Sequence, residues 1–558
     1  MRQRRVYGAD GVTRRMPDAP ESAAPDADPP VATPSPAPAR RGGGGGMLRS
    51  SAVFTAMTFL SRIAGYVRDR LQAAFFGADA GVDAFVVAYR IPNYLRRIFA
   101  EGSFASAFVP VLSELRQKGD QDALQDFLDH VAGALLAIVL VVTALGMLGA
   151  PWIARLFLLF DEGGDKVAMT AEMLRITFPY LAFISMTALA GAVLNTFRHF
   201  GLPALTPVLH NLGVIAAMLV LGRWAGMGPE ALAWGVVGAG VLQLAVLWPA
   251  MARWGLRPRL RFSARHEGVR RVGRLMLPTI FSSSVAQVNL LVGTMFASGL
   301  VAGSQSWLYY SDRLTELPLG LFGVAIGTVI LPQLSRHHAD RDAAGYSQAL
   351  DWGLRTVLLI GLPAAVGIGL LAEELTAALF LTGEFTARDT RMTSYALVAM
   401  CVGIPAFMLS KVLLPAFYAR QDTRTPMRAA VITVIVNVLL TVAIVLPWQR
   451  AGAIAPHAGI ALATALAGTI NALLLWIWLR RAGIYARQPG WTRWLLRIAA
   501  GLIAMVVAVW AVTDAAGDFT VMGDARRWAW LLAAIAAGAG AYGAMLLALG
   551  LRPRHLRH

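Results

Sequence analysis

The sequence predicts an all-α polytopic membrane protein. About fourteen transmembrane helices are expected, in two six-helix lobes related by a parallel repeat, with two additional C-terminal helices. Three observations carry this. Of 558 residues, 56% are hydrophobic and 15% charged, against about 25% charged in an ordinary soluble domain, and the mean hydropathy is +0.56. Apolar windows long enough to cross a bilayer recur along the chain, with basic residues concentrated in alternate connections. Short landmarks also recur at a spacing near 222 residues. This composition excludes a soluble enzyme and a disordered chain. The single cysteine, Cys401, excludes a disulfide framework and cysteine-rich metal sites.

Residues 1–46 read as a disordered cytoplasmic extension. Positions 17–46 are mostly Pro, Ala, Asp and Gly and lack the apolar residues a core needs. No apolar stretch of signal-peptide length stands near the start, and Met47 opens an amphipathic stretch. The N-lobe, 47–252, holds spans 1–6 at 51–75, 83–112, 131–148, 173–195, 203–221 and 231–249. A basic cytoplasmic linker is expected at 253–274. The C-lobe, 275–481, holds spans 7–12 at 275–298, 306–334, 357–371, 391–418, 429–446 and 460–479. Spans 13 and 14, at 495–512 and 528–549, occupy 482–551, and 552–558 is a basic cytoplasmic tail.

Charge tests this division. One set of alternate connections, together with the C-terminal tail, carries 24 basic residues, eight of them arginines between Arg253 and Arg274. The opposite set carries seven. The positive-inside rule therefore places both termini in the cytoplasm. The net charge of +17 is a topology signal and a contact for anionic lipids; it calls for no nucleic acid.

The repeat rests on three landmarks. VPVLSEL at 109–115 resembles LPQLSR at 331–336, aligning Pro110 with Pro332. LFLLFDEG from Leu156 parallels LFLTGEF from Leu379, and Pro203 aligns with Pro426 in NTFRHFGLP and YARQDTRTP. Six helices separate the copies, so they run in the same direction, and two lobes facing a central cavity suit alternating access.

Three spans carry charges that lipid would not accept. Span 1 contains Arg62, Arg68, Asp69 and Arg70; span 2 contains Asp83, Arg90, Arg96, Arg97 and Glu101; span 8 contains Asp312, Arg313 and Glu316. An arginine at a helix centre costs about 2.5–3.5 kcal/mol on insertion scales, so it must face protein, water or a ligand. Arg62 and Arg68 diverge by roughly 120° around the helix and stand ~9 Å apart along it, whereas Arg62 and Asp69 nearly share a face. Glu316 is spaced to hold Arg313. Pro92 and Gly102 are positioned to bend span 2, and Pro318 to bend span 8. Arg70 and Arg90 read equally well as structural ion pairs. Arg62, Arg68, Arg96, Arg97 and Arg313 read as cavity residues, because nearby acids are too few to neutralise them. A surplus of buried arginine asks for an anion, above all a phosphorylated one. Lys411, by contrast, reads as a helix-end or interface charge. No metal spacing or nucleotide-binding loop is present, and no catalytic motif, so the expectation is a transporter that uses no ATP and no cofactor.

At these residues the chain resembles a known family. SRIAGYVRD, VDAFVVAYRIPNYLRRIFAEGSFASAFVPVLSE, SWLYYSDRLTELPLGLFGVAIGTVILPQLS and FYARQDTRTP are similar to the MurJ/MviN family of bacterial lipid II flippases, over about 47–550. The resemblance implies a multi-pass plasma-membrane protein of the two-lobed exporter superfamily, acting in peptidoglycan synthesis. Lipid II is the implied substrate, and cell-wall synthesis proteins are implied as further partners. The family's cavity arginines fall at Arg62, Arg68, Arg96 and Arg313, and an acidic position at Asp83. On this reading Arg62, Arg68 and Arg313 bind the pyrophosphate and Arg96 and Arg97 hold or gate the headgroup. Asp69, Asp83, Asp312 and Glu316 serve in gating or ion pairing, and spans 13 and 14 form a groove for the lipid tail. An ion gradient or the membrane potential is the implied energy source. Export of another polyprenyl-linked oligosaccharide or amphipathic substrate on the same fold is the alternative.

Overall fold

The computed structural model describes residues 44–96, 103–161, 164–253, 255–263 and 265–551. Most of the N-terminal extension, Arg97, Glu101, Gly102 and the tail at 552–558 lie outside the described residues. Among the described residues there is no β-strand.

The first half of the chain forms α1 (Gly44–Phe76), α2 (Ala80–Arg96), α3 (Ser103–Lys118), α4 (Gln121–Leu148), α5 (Ala150–Phe157), α6 (Asp165–Thr177), α7 (Tyr180–Thr196), α8 (Gly201–Ala217) and α9 (Glu230–Arg253). A π-helical turn, Met218–Trp224, continues α8. The second half forms α10 (Glu267–Ser298), α11 (Ser304–Pro318), α12 (Val324–Ala339), α13 (Ala343–Leu370), α14 (Ala372–Phe380), α15 (Ala387–Cys401), α16 (Ile404–Tyr418), α17 (Arg424–Arg450) and α18 (Pro456–Arg481). Then come α19 (Trp491–Ala516) and α20 (Asp524–Ala548).

Nine helical stretches among the described residues are long and apolar enough to cross a membrane: α4, α6 with α7, α8 with its π turn, α9, α13, α17, α18, α19 and α20. The α15–α16 pair makes a tenth if counted as one span bent by 43°. The break falls at 402–403, just before Pro405, which stands in the first turn of α16, where proline is favoured. Pro318 marks a comparable change: α11 ends there and gives way to the π turn Leu319–Gly323 before α12. Pro92, expected to bend its span, instead sits inside a continuous α2. The basic connection also ends sooner than expected, because 267–274 form the first two turns of α10.

Element boundaries recur along the chain. α4 and α5 begin at 121 and 150, and α13 and α14 begin at 343 and 372. α6 and α7 begin at 165 and 180, and α15 and α16 at 387 and 404. Asp120 accepts a hydrogen bond from the Ala123 N–H at the start of α4, and Asp342 does the same for Gly345 at the start of α13. Two buried carboxylates, Asp129 and Asp351, occupy matching places on α4 and α13. Asp129 accepts from the Arg259 backbone N–H (2.8 Å). Asp351 accepts from Tyr485 Oη (2.6 Å) and Trp491 Nε1 (2.7 Å). Each thereby holds the connection that leaves the last helix of its half.

Burial follows the same division. One pair of apolar clusters joins α2–α9, another joins α11–α18, and smaller clusters attach α19 and α20 to α13 and α14. Close helix approach uses small residues: a Cβ on Gly213 of α8 would come within 2.7 Å of Ala239 on α9.

Side-chain and backbone contacts sort the loops into two ends. At one end Glu384 N–H donates to the Ala74 carbonyl (3.0 Å), Lys166 to the Leu300 carbonyl (3.2 Å), and Arg527 to the Leu381 carbonyl (2.7 Å). At the other, Gln125 donates to the Arg257 carbonyl (2.9 Å), Arg271 pairs with Glu114 (2.8 Å), and Ser347 bonds Ala486 (3.0 Å).

Candidate functional site

A cavity of about 950 Å³ opens between α1, α8 and the second half of the chain. Its charged lining is Arg62, Arg68 and Asp69 from α1, Asp312, Arg313 and Glu316 from α11, and Lys411 from α16. Polar uncharged groups, among them Asn211, Ser410, Thr433 and Asn471, fill out the wall.

Local helix geometry sets up the charged cluster. Arg68 and Asp69 are adjacent on α1 and pair at 2.6 Å. The Arg68 guanidinium also donates to Asn211 Oδ1 on α8 (3.0 Å) and to Tyr309 Oη on α11 (3.3 Å). Tyr309 Oη in turn donates to Asp69 Oδ1 (3.1 Å). One turn on, Arg313 donates to Tyr309 Oη (3.3 Å) and lies over its ring at 4.9 Å. Arg313 pairs with Glu316 at 3.2 Å, as the three-residue spacing predicts, and approaches Asp69 at 3.6 Å. Its Nε is buried with no hydrogen-bond partner among the described residues.

Arg62 is different. It is exposed within the cavity, and among the described residues it meets no carboxylate. Its guanidinium lies against Gly320 in the π turn, where a Cβ would come within 2.8 Å of Nη2. A glycine here leaves the room that arginine occupies. Lys411 is likewise exposed on the cavity wall without a carboxylate partner among the described residues. Read from sequence as a helix-end charge, it sits mid-way along α16, its stem packed against Gly323.

The cavity thus holds four cations and three carboxylates. Asp69 and Glu316 are engaged by Arg68 and Arg313. The uncommitted charge is positive. Such a surface favours an anion, and guanidinium forks suit phosphate oxygens.

Other expected residues lie elsewhere. Arg96 is half-buried outside the cavity lining and donates to Asn93 one turn back (3.0 Å). Arg97 lies outside the described residues. Asp83 is buried and, rather than pairing with an arginine, caps α11 from α2: its carboxylate accepts from Gly303 N–H (2.8 Å), Ser306 N–H (2.8 Å) and Ser306 Oγ (2.7 Å). The first-turn N–H groups of α11 lack intrahelical partners, and an anion there is favoured. Arg90 donates to Thr294 Oγ1 and Gln305 Oε1, and Arg70 to Asp524 and the carbonyls of Ala378 and Leu379. Both are structural ties. Asn211, Tyr309 and Gly320 were missed because each acts through a partner far away in sequence.

The sequence profile described as "Lipid II flippase MurJ" matches residues 72–522. The chain belongs to the MurJ family. It is 41% identical over 514 residues to the probable lipid II flippase MurJ of Haemophilus influenzae, covering 90% of this chain and 99% of that protein. Among solved structures, it is similar to a lipid II flippase MurJ in an inward closed conformation, with a TM-score of 0.73 at 27% identity, covering 88% of this chain and 98% of the other. A multidrug MATE transporter of the MOP superfamily, captured inward-facing, shares the fold at a TM-score of 0.62 and 14% identity, over 78% of this chain and 98% of that one. As a MurJ-family member the chain is a multi-span membrane protein, and the cavity on α1 and α11 lies within that shared fold.

Proposed function

We propose that this protein flips lipid II from the cytoplasmic to the outer leaflet of the bacterial plasma membrane by alternating access. Arg62, Arg68 and Arg313 bind the pyrophosphate, and Lys411 adds a fourth cation, packed against the same π turn that Arg62 lies against. The observation that carries this is a cavity of about 950 Å³ with uncommitted cations, in a chain of the MurJ family. The substrate's headgroup is too polar to cross hydrocarbon unaided, so a polar path between two halves of the protein is what such a transporter must supply. No chemical bond is made or broken, and the protein acts as a transporter rather than an enzyme.

On this reading the twenty helices group into fourteen spans. The pairs α2–α3, α6–α7, α11–α12 and α15–α16 each count as one span, while α5 and α14 lie at one end. The recurring boundaries favour two parallel lobes, α1–α9 and α10–α18. The loops that share an end by contact carry the charge asymmetry of the sequence, and this supports cytoplasmic termini with the basic connection against anionic lipid. The apolar outward residues of α19 and α20, such as Ile503, Trp510 and Leu532, suit a path for the lipid tail. Arg96 and Arg97 retain a role in headgroup gating, and Asp83 one in closing the end where it caps α11. Docking to cell-wall synthesis proteins, and drive from the membrane potential or an ion gradient, complete the proposal.

Conditional depletion tests it. Loss of the protein should leave lipid II accumulated on the cytoplasmic leaflet. Accumulation of a different polyprenyl-linked oligosaccharide would transfer the assignment to that substrate.

A further inference from the structure

Where the basic connection docks on α4, three metal-competent side chains converge away from the cavity. Asp126 and His130 stand one helical turn apart on α4, and His266 immediately precedes α10. His266 Nε2 lies 3.0 Å from Asp126 Oδ2, and His130 Nδ1 lies 3.3 Å from Asp126 Oδ1. One ligand atom from each residue falls within 4.8 Å of the others. In a tetrahedral zinc shell ligand atoms sit roughly 3.4 Å apart, so side-chain rotation alone closes the set. The two imidazoles stack at 4.3 Å with planes 6° apart. His266 Nδ1 is buried without a hydrogen-bond partner among the described residues.

We propose that Asp126, His130 and His266 bind a divalent first-row metal of zinc's class, which fastens the connection between the repeats to α4. Two imidazoles and one carboxylate suit zinc and its neighbours and are poor ligands for magnesium or calcium, which prefer oxygen shells. The neighbouring groups are arranged to help. Asp129, one turn from Asp126 and buried, already holds the Arg259 N–H and faces Arg261, so the segment is seated before any metal arrives. His130 Nδ1 also meets the Asp126 backbone carbonyl at 2.8 Å, a contact this nitrogen exchanges for the metal. The site belongs to the first repeat alone. At the matching places on α13 stand Gln348 and Trp352, while the Asp129 anchor has its counterpart in Asp351. Metal binding would therefore stiffen the one connection that joins the two halves.

The test uses the full-length protein purified in detergent through a tag free of histidine. Zinc binding is measured by calorimetry for the wild type, His130→Gln, His266→Gln and Asp126→Asn. The expected result is one ion per chain, with affinity reduced at least 10–100-fold in each histidine variant, the range lost even when an outer partner of a ligand is removed. X-ray absorption of the loaded wild type should show an N/O shell with imidazole scattering. Zinc should also slow tryptic cleavage after the exposed Arg257, Arg261 and Arg265 in the wild type but not in His266→Gln. All these substitutions are at partly exposed positions, and an unchanged elution profile establishes that each variant is folded. Zinc bound equally by the variants, no stoichiometric binding, or cleavage indifferent to zinc in the wild type would each overturn the proposal.

Discussion

Arg62→Ala separates substrate binding from folding. Among the described residues Arg62 holds no carboxylate, and it is exposed in the cavity, so its removal should change stability by no more than about 0.5 kcal/mol. A charge-assisted hydrogen bond to a phosphate oxygen contributes about 1.5–3 kcal/mol, so affinity for the pyrophosphate lipid should fall roughly 10- to 150-fold. Arg62→Lys keeps the charge but loses the fork and should recover only part of this. Arg68→Ala is the contrasting case. It removes the closest partner of Asp69, whose side chain is only 8% exposed, leaving Arg313 at 3.6 Å. Breaking a buried pair of this kind costs about 3–5 kcal/mol. Lipid II binding to detergent-purified protein and thermal unfolding, measured on both variants, give the comparison. Wild-type affinity in Arg62→Ala, or an unfolding shift as large as that of Arg68→Ala, would refute the assignment of Arg62 to substrate.

Gly320→Ala should imitate the loss of Arg62 without touching it, because the new methyl stands 2.8 Å from Nη2 and pushes the guanidinium from its seat; binding measured alongside an unchanged melting curve checks this. Lys411→Gln should weaken binding about tenfold with no loss of stability, read in the same titration. Asp83→Ala removes three acceptor contacts at the start of α11, each unsatisfied N–H costing about 1–3 kcal/mol. Opening at that end should increase, seen as faster labelling of a cysteine placed at Thr315 by a membrane-impermeant thiol reagent added outside. At Asp342, chiefly the Gly345 N–H holds the carboxyl below its ordinary range. A lowered pKa stabilises the folded form above the ordinary carboxyl range, and that contribution is lost as pH falls through the lowered value. Amide exchange in the first turn of α13 should therefore gain protection up to neutral pH and lose it on acidification.

The apolar helices were legible because lipid imposes a long apolar window on each. The helix breaks were only partly legible. Pro318 coincides with the change from α11 to the π turn, whereas Pro92 is absorbed into α2. Length and hydropathy pick out α4 or α17 directly, but not α1, whose charges interrupt its apolar window, or α11, which is both charged and only 15 residues long. For the cavity, surplus charge pointed to Arg62, Arg68 and Arg313, which share it. The same rule misjudged Lys411, because a lone lysine in an apolar run gives no sign of which wall it faces. Asp83 shows the converse limit: its partners are backbone N–H groups of α11, more than two hundred residues away, and backbone donors leave no mark in a sequence.

The most direct measurement is leaflet transfer by the purified protein in liposomes. Lipid II is loaded on one face, and its arrival on the other is followed for the wild type, Arg62→Ala and Arg313→Ala. The account predicts transfer by the wild type, little by either variant, and none for a polyprenyl chain without the pyrophosphate headgroup. Equal transfer by all three proteins would contradict it.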